Sequence, residues 1–544
     1  MRPLRLQAHM RGLAGVASLA SVLFVASSAA AQTAVTTYHN DNYRTGWNSS
    51  ETVLTPSSVG SSAFGLLATV AVDDQVDGQP LVVPGVTITA GNHQGVHDVV
   101  YIATGNDTVY AIDADAGTVL LSHNLGTPVS SPLGCNNNGP NVGIDSTPVI
   151  DISSNTIYVI AYTQDSMGPA YRIHALDLGN LTDKVTPTVV SASHTLTDGT
   201  TFTFKATYER QRPGLLLANG NIYAGFGSFC DYSANQSRGW LLGWNAATLT
   251  PLSANRLNDQ QPTSPNTFFL SSIWMSGYGL SADDSGNVVF VTGNSDYSGT
   301  TYDGVSNIQE SVVKVSSDLT MVVDLFTPSN QASLDQGDKD FGSGGVLVLP
   351  DQTGSTPHLA VAAGKYGSMY LMNEDKLGGY STTNNNVLGV YQVGDCWCGE
   401  SYFVDPTDGA ARVVSSGGND VKVWKLKTSP GPKLVGVTHS PTLRSGQLAG
   451  FFTSVSSNGN ATPIIWAVTR PASHSSTAIG LYAFNPDSGA KMTSLFHANA
   501  GAWPNYGGNL NQVPVVANGK VYVASHKQLQ IFGLKQAANS KSSK

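Results

Sequence analysis

Charge is scarce in this chain. Only 12% of its 544 residues are Asp, Glu, Lys or Arg, and acidic residues outnumber basic ones by 37 to 28. Lys and Arg gather only in the short tail "KQAANSKSSK" (Lys535–Lys544), so nucleic acid, whose phosphates need clustered cations, is not an expected partner. Cysteine is sparse too, with four residues, and no C-x-x-C-H is present to carry haem. The absence of H-E-x-x-H, of a G-x-S-x-G elbow and of a strand-to-helix phosphate loop removes the commonest metalloprotease, serine-hydrolase and nucleotide chemistries. Past residue 31 no apolar run approaches the roughly 20 residues of a membrane helix. No membrane span is expected.

What is present begins with a targeting pattern. Arg2, Arg5 and Arg11 precede the apolar, small-residue run Leu13–Ala26, and "AAAQ" (Ala29–Gln32) offers a small-residue cleavage site. Residues 1–31 read as a signal peptide cleaved after Ala31, which implies a secreted or periplasmic protein. Residues 32–63 read as a polar lead-in, residues 64–535 as the folded domain, and residues 536–544 as a disordered basic tail. With 57 Gly and frequent Thr, Ser, Val and Asn, the domain has the composition of strands joined by tight turns.

The domain is repetitive. In "DVVYIATGNDTVYAIDADAGTVLLSHNLG" (Asp98–Gly126) three alternating apolar runs are separated by "GND" and "DADAG", a meander of short antiparallel strands. Related patterns recur in "NTIYVIAYT", "GNIYAGFGS", "GNVVFVTGN", "HLAVAAGKYGSMYLM", "ARVVSSGGNDVKVWKLKT", "LYAFNPDSGAKM" and "GKVYVASHKQLQIFGLK", about eight units of roughly 45–60 residues. Such a unit covers both faces of its sheet only by packing radially against copies of itself. The last copy stops after its third strand, and the unpartnered "FGLLATVAV" (Phe64–Val72) precedes the first. An eight-bladed, all-β propeller of four-stranded antiparallel blades is expected, its ring closed by Phe64–Val72 pairing beside Gln528–Leu534. The polar stretch "TYHNDNYRTGWN" (Thr37–Asn48) then leads the chain onto the outside of the ring. Its His39, Asp41 and Arg44 are expected to be a hydrogen-bonded lead-in and not a site.

"VYAIDADAGTVL", together with "YHNDNYRTGWN", "LTPSSV" and "FGLLATV", resembles the repeat and entry segment of quinoprotein alcohol dehydrogenases and other pyrroloquinoline quinone (PQQ)-like propellers. The likeness covers almost the whole domain and includes an exported bacterial subgroup of unassigned activity. The resemblance implies a site near the ring axis. The Asn of a Thr-Gly-Asn turn, here Asn294 in "VTGNSD", would bind the metal, and the Lys of "AAGKYG", Lys365, would contact the quinone. Trp274 would form the pocket floor. The family's metal-binding Glu corresponds to the segment holding Asp231, its vicinal Cys pair to the single Cys135, and its catalytic Asp to Ser316, with Asp318 as nearest carboxylate. Asp318 and Asp231 are thus the candidate catalytic residues. Because a Ser cannot take an alcohol proton at neutral pH, and no matching Arg or Glu is present, the resemblance favours a binding or scaffolding propeller with a degenerate quinoprotein pocket. Its partner would be a protein, or a small-molecule or carbohydrate ligand at the axial funnel. The alternative is a PQQ- and calcium-dependent alcohol or sugar dehydrogenase with a rearranged site.

An oxidising compartment favours disulfides among Cys135, Cys230, Cys396 and Cys398. The expected pair is Cys135–Cys230, tying the second blade to the third. A Cys396–Cys398 bond is possible but strained, and four thiolates holding a metal, or free thiols, are the other readings. The acidic "DQGDKDFGSGG" (Asp335–Gly345) invites a calcium reading but is expected to be solvated loop charge.

Overall fold

A computed structural model describes residues 32–535 apart from 138, 263–269, 296–301, 444, 487–488 and 506. The signal-peptide and tail expectations lie outside the described residues, in which no helix is long and apolar enough to cross a membrane.

The described chain is almost entirely β-structure, in eight blades. Their innermost strands are Leu81–Ile88, Val149–Asp151, Leu216–Ala218, Ser281–Ala282, Val346–Leu349, Ser401–Val404, Phe452–Asn458 and Val515–Ala517. Local chemistry explains the repeat. In blade 1, Val99–Ala103 is buried on both faces, as a strand of β-branched and aromatic residues permits. The turn into the fourth strand is made by the Asp113 carboxylate, which accepts from the backbone N–H of Asp115 and Ala116 (2.9 and 2.7 Å), with Gly117 at φ +66°. Asp177, Asn245 and Asn373 bond the backbone two residues on at the corresponding turns of blades 2, 3 and 5.

The core is a ring of clusters, each lying between neighbouring blades. Val99, Tyr101 and Ala103 pack toward Val159 and Ala161 of blade 2, while Val100 and Ile102 pack toward Val515 and Leu529 of blade 8. This is the period-two alternation of a strand with both faces covered. Closure occurs as the repeat predicts: Phe64–Ala71 runs antiparallel to Gln528–Leu534, and the other half of the same long strand pairs with Val515–Ala517.

The lead-in does not pass outside the ring. It travels around the inside and meets every blade in order. Val35 pairs with Val82 of blade 1, and Thr36 accepts from Ile150 of blade 2. The Asn42 side chain donates to Leu217 of blade 3, and its carbonyl accepts from Ala282 of blade 4. Tyr43 and Thr45 accept from Val348 and Tyr402 of blades 5 and 6. Trp47–Asn48 runs parallel to Val455–Ser456 of blade 7, and the Asn48 side chain donates to Val516 of blade 8. The polar composition of this segment serves the edge backbone groups of the inner strands, which have no further strand toward the axis to bond to. His39 and Arg44 are fully buried, so the expected hydrogen-bonded role holds while the expected position is corrected.

Candidate functional site at the ring axis

The blades bring several of the singled-out residues to one place. A cavity of about 890 Å³ is lined by Asp231, Trp274 and Lys365, together with Arg210, Arg212, Asp338, Asp340 and Trp397. In blades 3 to 6 these residues come a few positions before the inner-strand region that meets the lead-in: Arg212 before Leu217, Trp274 before Ala282, Asp340 before Val348, Trp397 before Tyr402. The cavity and the lead-in therefore occupy opposite ends of the axial channel.

Lys365 is the centre of the site. Its Nζ lies 3.0 Å from Asp338 Oδ1 and 3.1 Å from Asp340 Oδ2, and 5.4 and 5.6 Å from the ring centres of Trp274 and Trp397, within cation–π range. Burial alone would lower the Lys365 pKa, but Asp340 and Asp338 outweigh it and hold the group protonated. Two glycines make the approach possible. A Cβ on Gly364 would lie 2.6 Å from the Phe341 Cα, and one on Gly293 would lie 3.0 Å from Trp274 Nε1 and 3.6 Å from the Asp340 carboxyl carbon. The glycines of "AAGK" and "VTGN" thus let the Lys turn, the Trp and the Asp340 loop pack against one another. Asn294, beside Gly293, is buried and donates through Nδ2 toward Asp338 Oδ1 at 3.4 Å.

Carboxylates crowd this end of the axis. Burial, then Asp340, pushes the Asp231 pKa up to about 6, and burial first pushes Asp335 up to about 7. Asp340 and Glu310 are also raised, mainly by burial. Asp340 Oδ1 and Glu310 Oε1 are buried without a hydrogen-bond partner, an arrangement that is costly unless something else meets them. The reading of "DQGDKDFGSGG" as solvated charge is overturned for Asp335 and Asp340, which are 6% and 3% exposed. Only the Asp338 side chain, at 69%, is open to solvent.

Cys135 and Cys230 are bonded as expected, with Cα atoms 5.6 Å apart, and tie the connection leading into blade 2 to blade 3. Cys396 and Cys398 are bonded as well, and no cysteine is free, so the four-thiolate metal and free-thiol readings are excluded for this state. The Cys135–Cys230 bond reaches the cavity at Cys230. There Cys230 and Asp231 both take left-handed backbone conformations (φ +53° and +55°), a strained geometry that places Asp231 in the wall.

Asp318 is elsewhere. It closes the turn between Val312–Val315 and Val322–Thr327, accepting from Ser316 Oγ (2.6 Å), Thr320 N (3.1 Å) and Thr320 Oγ1 (2.7 Å), and it does not line the cavity. Glu310, Arg210, Arg212 and Trp397 carried no functional expectation, and Asp338 and Asp340 only the calcium reading weighed for their stretch. A usable signal existed for two: Asp338 and Asp340 stand in the acidic, apolar-poor stretch "DQGDKDFGSGG". The arginines supply cations that the sequence pattern lacks, although Arg210 is paired with Asp145 at 2.7 Å and Arg212 donates to the Asp145 carbonyl at 2.8 Å.

No family model matches the chain, and no curated protein does. Among solved structures it is similar to a quinohemoprotein alcohol dehydrogenase from Pseudomonas putida HK5, at 12% identity and TM-score 0.60 over 93% of this chain and 81% of that one. It is also similar to a europium-containing methanol dehydrogenase, at 11% identity and TM-score 0.56 over 92% of this chain and 98% of that one. Identity that low speaks to architecture alone, and the shared architecture is the eight-bladed β-propeller.

Proposed function

We propose that the protein is a quinone-dependent oxidoreductase acting on alcohols or sugars, with PQQ and a divalent cation such as calcium held in the axial cavity. One observation carries this reading: the buried Asp340 carboxylate has one oxygen on Lys365 and the other without a partner, beside Trp274 and Gly293. This supplies the carboxylate that Ser316 cannot. The residues fit the group. Trp274 offers a flat face, Lys365 and the arginines offer positive charge for carboxylates and a quinone oxygen, and Asn294 and Asp231 offer oxygens to a cation. When bound, the quinone would accept two electrons from the alcohol carbon. Asp340 Oδ1 takes the hydroxyl proton, and Lys365 on the opposite oxygen favours the ionised form that can do so. The two disulfides fit an exported protein.

A second reading has its own support. Lys365 engages both Asp338 and Asp340, and the vicinal Cys pair is absent, so the cavity could bind a small molecule, a carbohydrate or a protein loop without turnover. Titration of the protein with PQQ and calcium, followed by dye reduction over alcohols and sugars, separates the two. The oxidoreductase predicts binding with turnover, and Asp340→Asn should keep binding while lowering turnover about 10²–10⁴-fold. Binding without turnover selects the second reading.

A further inference from the structure

Behind the cavity wall lies a second group of reactive side chains. Cys396, Trp397 and Cys398 precede the inner strand of blade 6. The Trp397 ring lines the cavity, while both cysteines are fully buried. Glu400, two residues on, is fully buried too, and neither of its carboxylate oxygens has a hydrogen-bond partner. One ligand atom from each of Cys396, Cys398 and Glu400 lies within 4.8 Å of the other two, the only such group among the described residues. A disulfide offers a carboxyl group no useful donor or acceptor, so the oxidised state leaves Glu400 unsatisfied in a place where that is expensive.

The backbone holds the three residues in place. Ser343 Oγ donates to the Cys396 carbonyl at 2.6 Å, Arg470 Nη2 to the Trp397 carbonyl at 2.8 Å, and Tyr278 Oη to the Glu400 carbonyl at 3.2 Å. Opening the disulfide would therefore leave two sulfurs and a carboxylate converging from a fixed frame. That donor set suits Zn²⁺, which takes Cys sulfur at about 2.3 Å and carboxylate oxygen at about 2.0–2.2 Å.

We propose that Cys396, Cys398 and Glu400 form a thiol-gated zinc site, closed as a disulfide when oxidised and opened by a dithiol. In the opening step the dithiol gives up two electrons and two protons and leaves as its own disulfide. The Cys396–Cys398 bond breaks, and each sulfur becomes a thiol. Zinc then displaces both thiol protons to solvent and binds the two thiolates and the Glu400 carboxylate, with water in the fourth position.

The test uses the full chain, reduced anaerobically with dithiothreitol, freed of reductant and titrated with Co²⁺ as the probe. One equivalent should give sulfur-to-cobalt charge-transfer absorption that zinc displaces. Cys396→Ser with Cys398→Ser should abolish the band, and Cys135→Ser with Cys230→Ser should keep it. Glu400→Gln should weaken cobalt binding by more than the roughly tenfold that loss of an outer-shell partner costs. Should the first double variant misfold, zinc protection of Cys396 and Cys398 from alkylation in the reduced native chain, mapped by mass spectrometry, gives the same answer. Absence of the band in folded reduced protein, alkylation unaffected by zinc, unchanged affinity in Glu400→Gln, or a disulfide that resists the dithiol until the fold is lost would each overturn the proposal.

Discussion

Both ends of the axial channel bury a cation, and they use it differently. At the lead-in end, Arg44 donates to the carbonyls of Leu280, Tyr38, Asp41 and Leu215 and to Thr37 Oγ1. Among the described residues no carboxylate lies within ion-pair distance of it, and burial lowers its pKa to about 10 against the opposing charge of Asp41. At the cavity end, Lys365 faces two carboxylates and two indoles, and its pKa rises. Carbonyl partners fix a conformation, because they are numerous, neutral and part of the backbone. Carboxylate partners hold charge that a ligand or a proton can exchange for. The first arrangement is built to stay put, and the second leaves room for the exchange that the proposed function requires.

The largest test of this contrast removes the lead-in end altogether. Deleting residues 32–72 takes away the segment that bonds all eight inner strands together with the strand that closes the ring. The expected product is insoluble, or unfolds without a cooperative transition, because an open edge and unsatisfied inner strands remain. A soluble truncated chain with a sharp melting transition would show that the blades close without it.

The two cations themselves give a finer comparison. Arg44→Met strips the donors from five acceptors and should cost about 3 kcal/mol or more of stability, with ligand binding unchanged in whatever protein remains folded. Lys365→Met should cost less, about 1–2 kcal/mol, since Asp338 is open to water and Asp340 can take up a proton, yet it should abolish cofactor binding. Thermal melts and binding titrations on both variants decide this. If the variants exchange these effects, the assignment of a structural and a functional end is wrong.

These roles were unevenly legible in the sequence. The blades were readable because each repeat carries its own strand alternation and turn residues, and the closing pair because an incomplete last unit demands a partner. The path of the lead-in was not. Its partners are backbone groups on eight separate blades, and nothing in "TYHNDNYRTGWN" distinguishes bonding inward from lying on the surface. At the cavity, short motifs pointed to Lys365, Trp274 and Asp231, which line it, and to Asn294, which reaches Asp338. Asp340 was missed because its burial comes from the contact with Gly364 and Gly293, far away in sequence. Asp318 entered only as the carboxylate nearest Ser316, the position that the family pattern picks out, and nearness in sequence says nothing about which end of the strand faces the axis.

Acid sensitivity probes the lead-in end more gently. His39 is fully buried, with Nδ1 3.1 Å from the Arg44 carbonyl, and burial lowers its pKa from 6.5 to about 4, outweighing the bond to that carbonyl, which raises it. The unfolded chain therefore binds this proton before the folded one does. The folded state loses stability as pH falls from about 6.5 to about 4, by about 1.4 kcal/mol per pH unit, and the loss levels off below that window. Buried acids with raised values, such as Asp231 and Asp335, act in the opposite sense over part of the same range, so the measurement is the difference between the native chain and His39→Asn. That difference should shrink steadily across the window. A constant difference would mean that His39 titrates normally in the fold.

The smallest expected effect belongs to Asp318. Its carboxylate is held near pKa 2 by Ser316 and Thr320, and every partner recorded for it lies in its own turn, between Ser316 and Thr320. A carboxylate held so low is a poor proton acceptor at neutral pH, and its position takes it away from Lys365 and Trp274. Asp318→Ala should leave quinone binding, dye reduction and the melting transition essentially where they were. The comparison with Asp340→Asn is then direct, since one substitution removes a carboxylate from an exposed turn and the other from the wall of the cavity. If Asp318→Ala were the one to stop turnover while Asp340→Asn did not, the reactive end of the channel would have to be sought at the rim of blade 4, and the axial cavity would be left as a binding pocket alone.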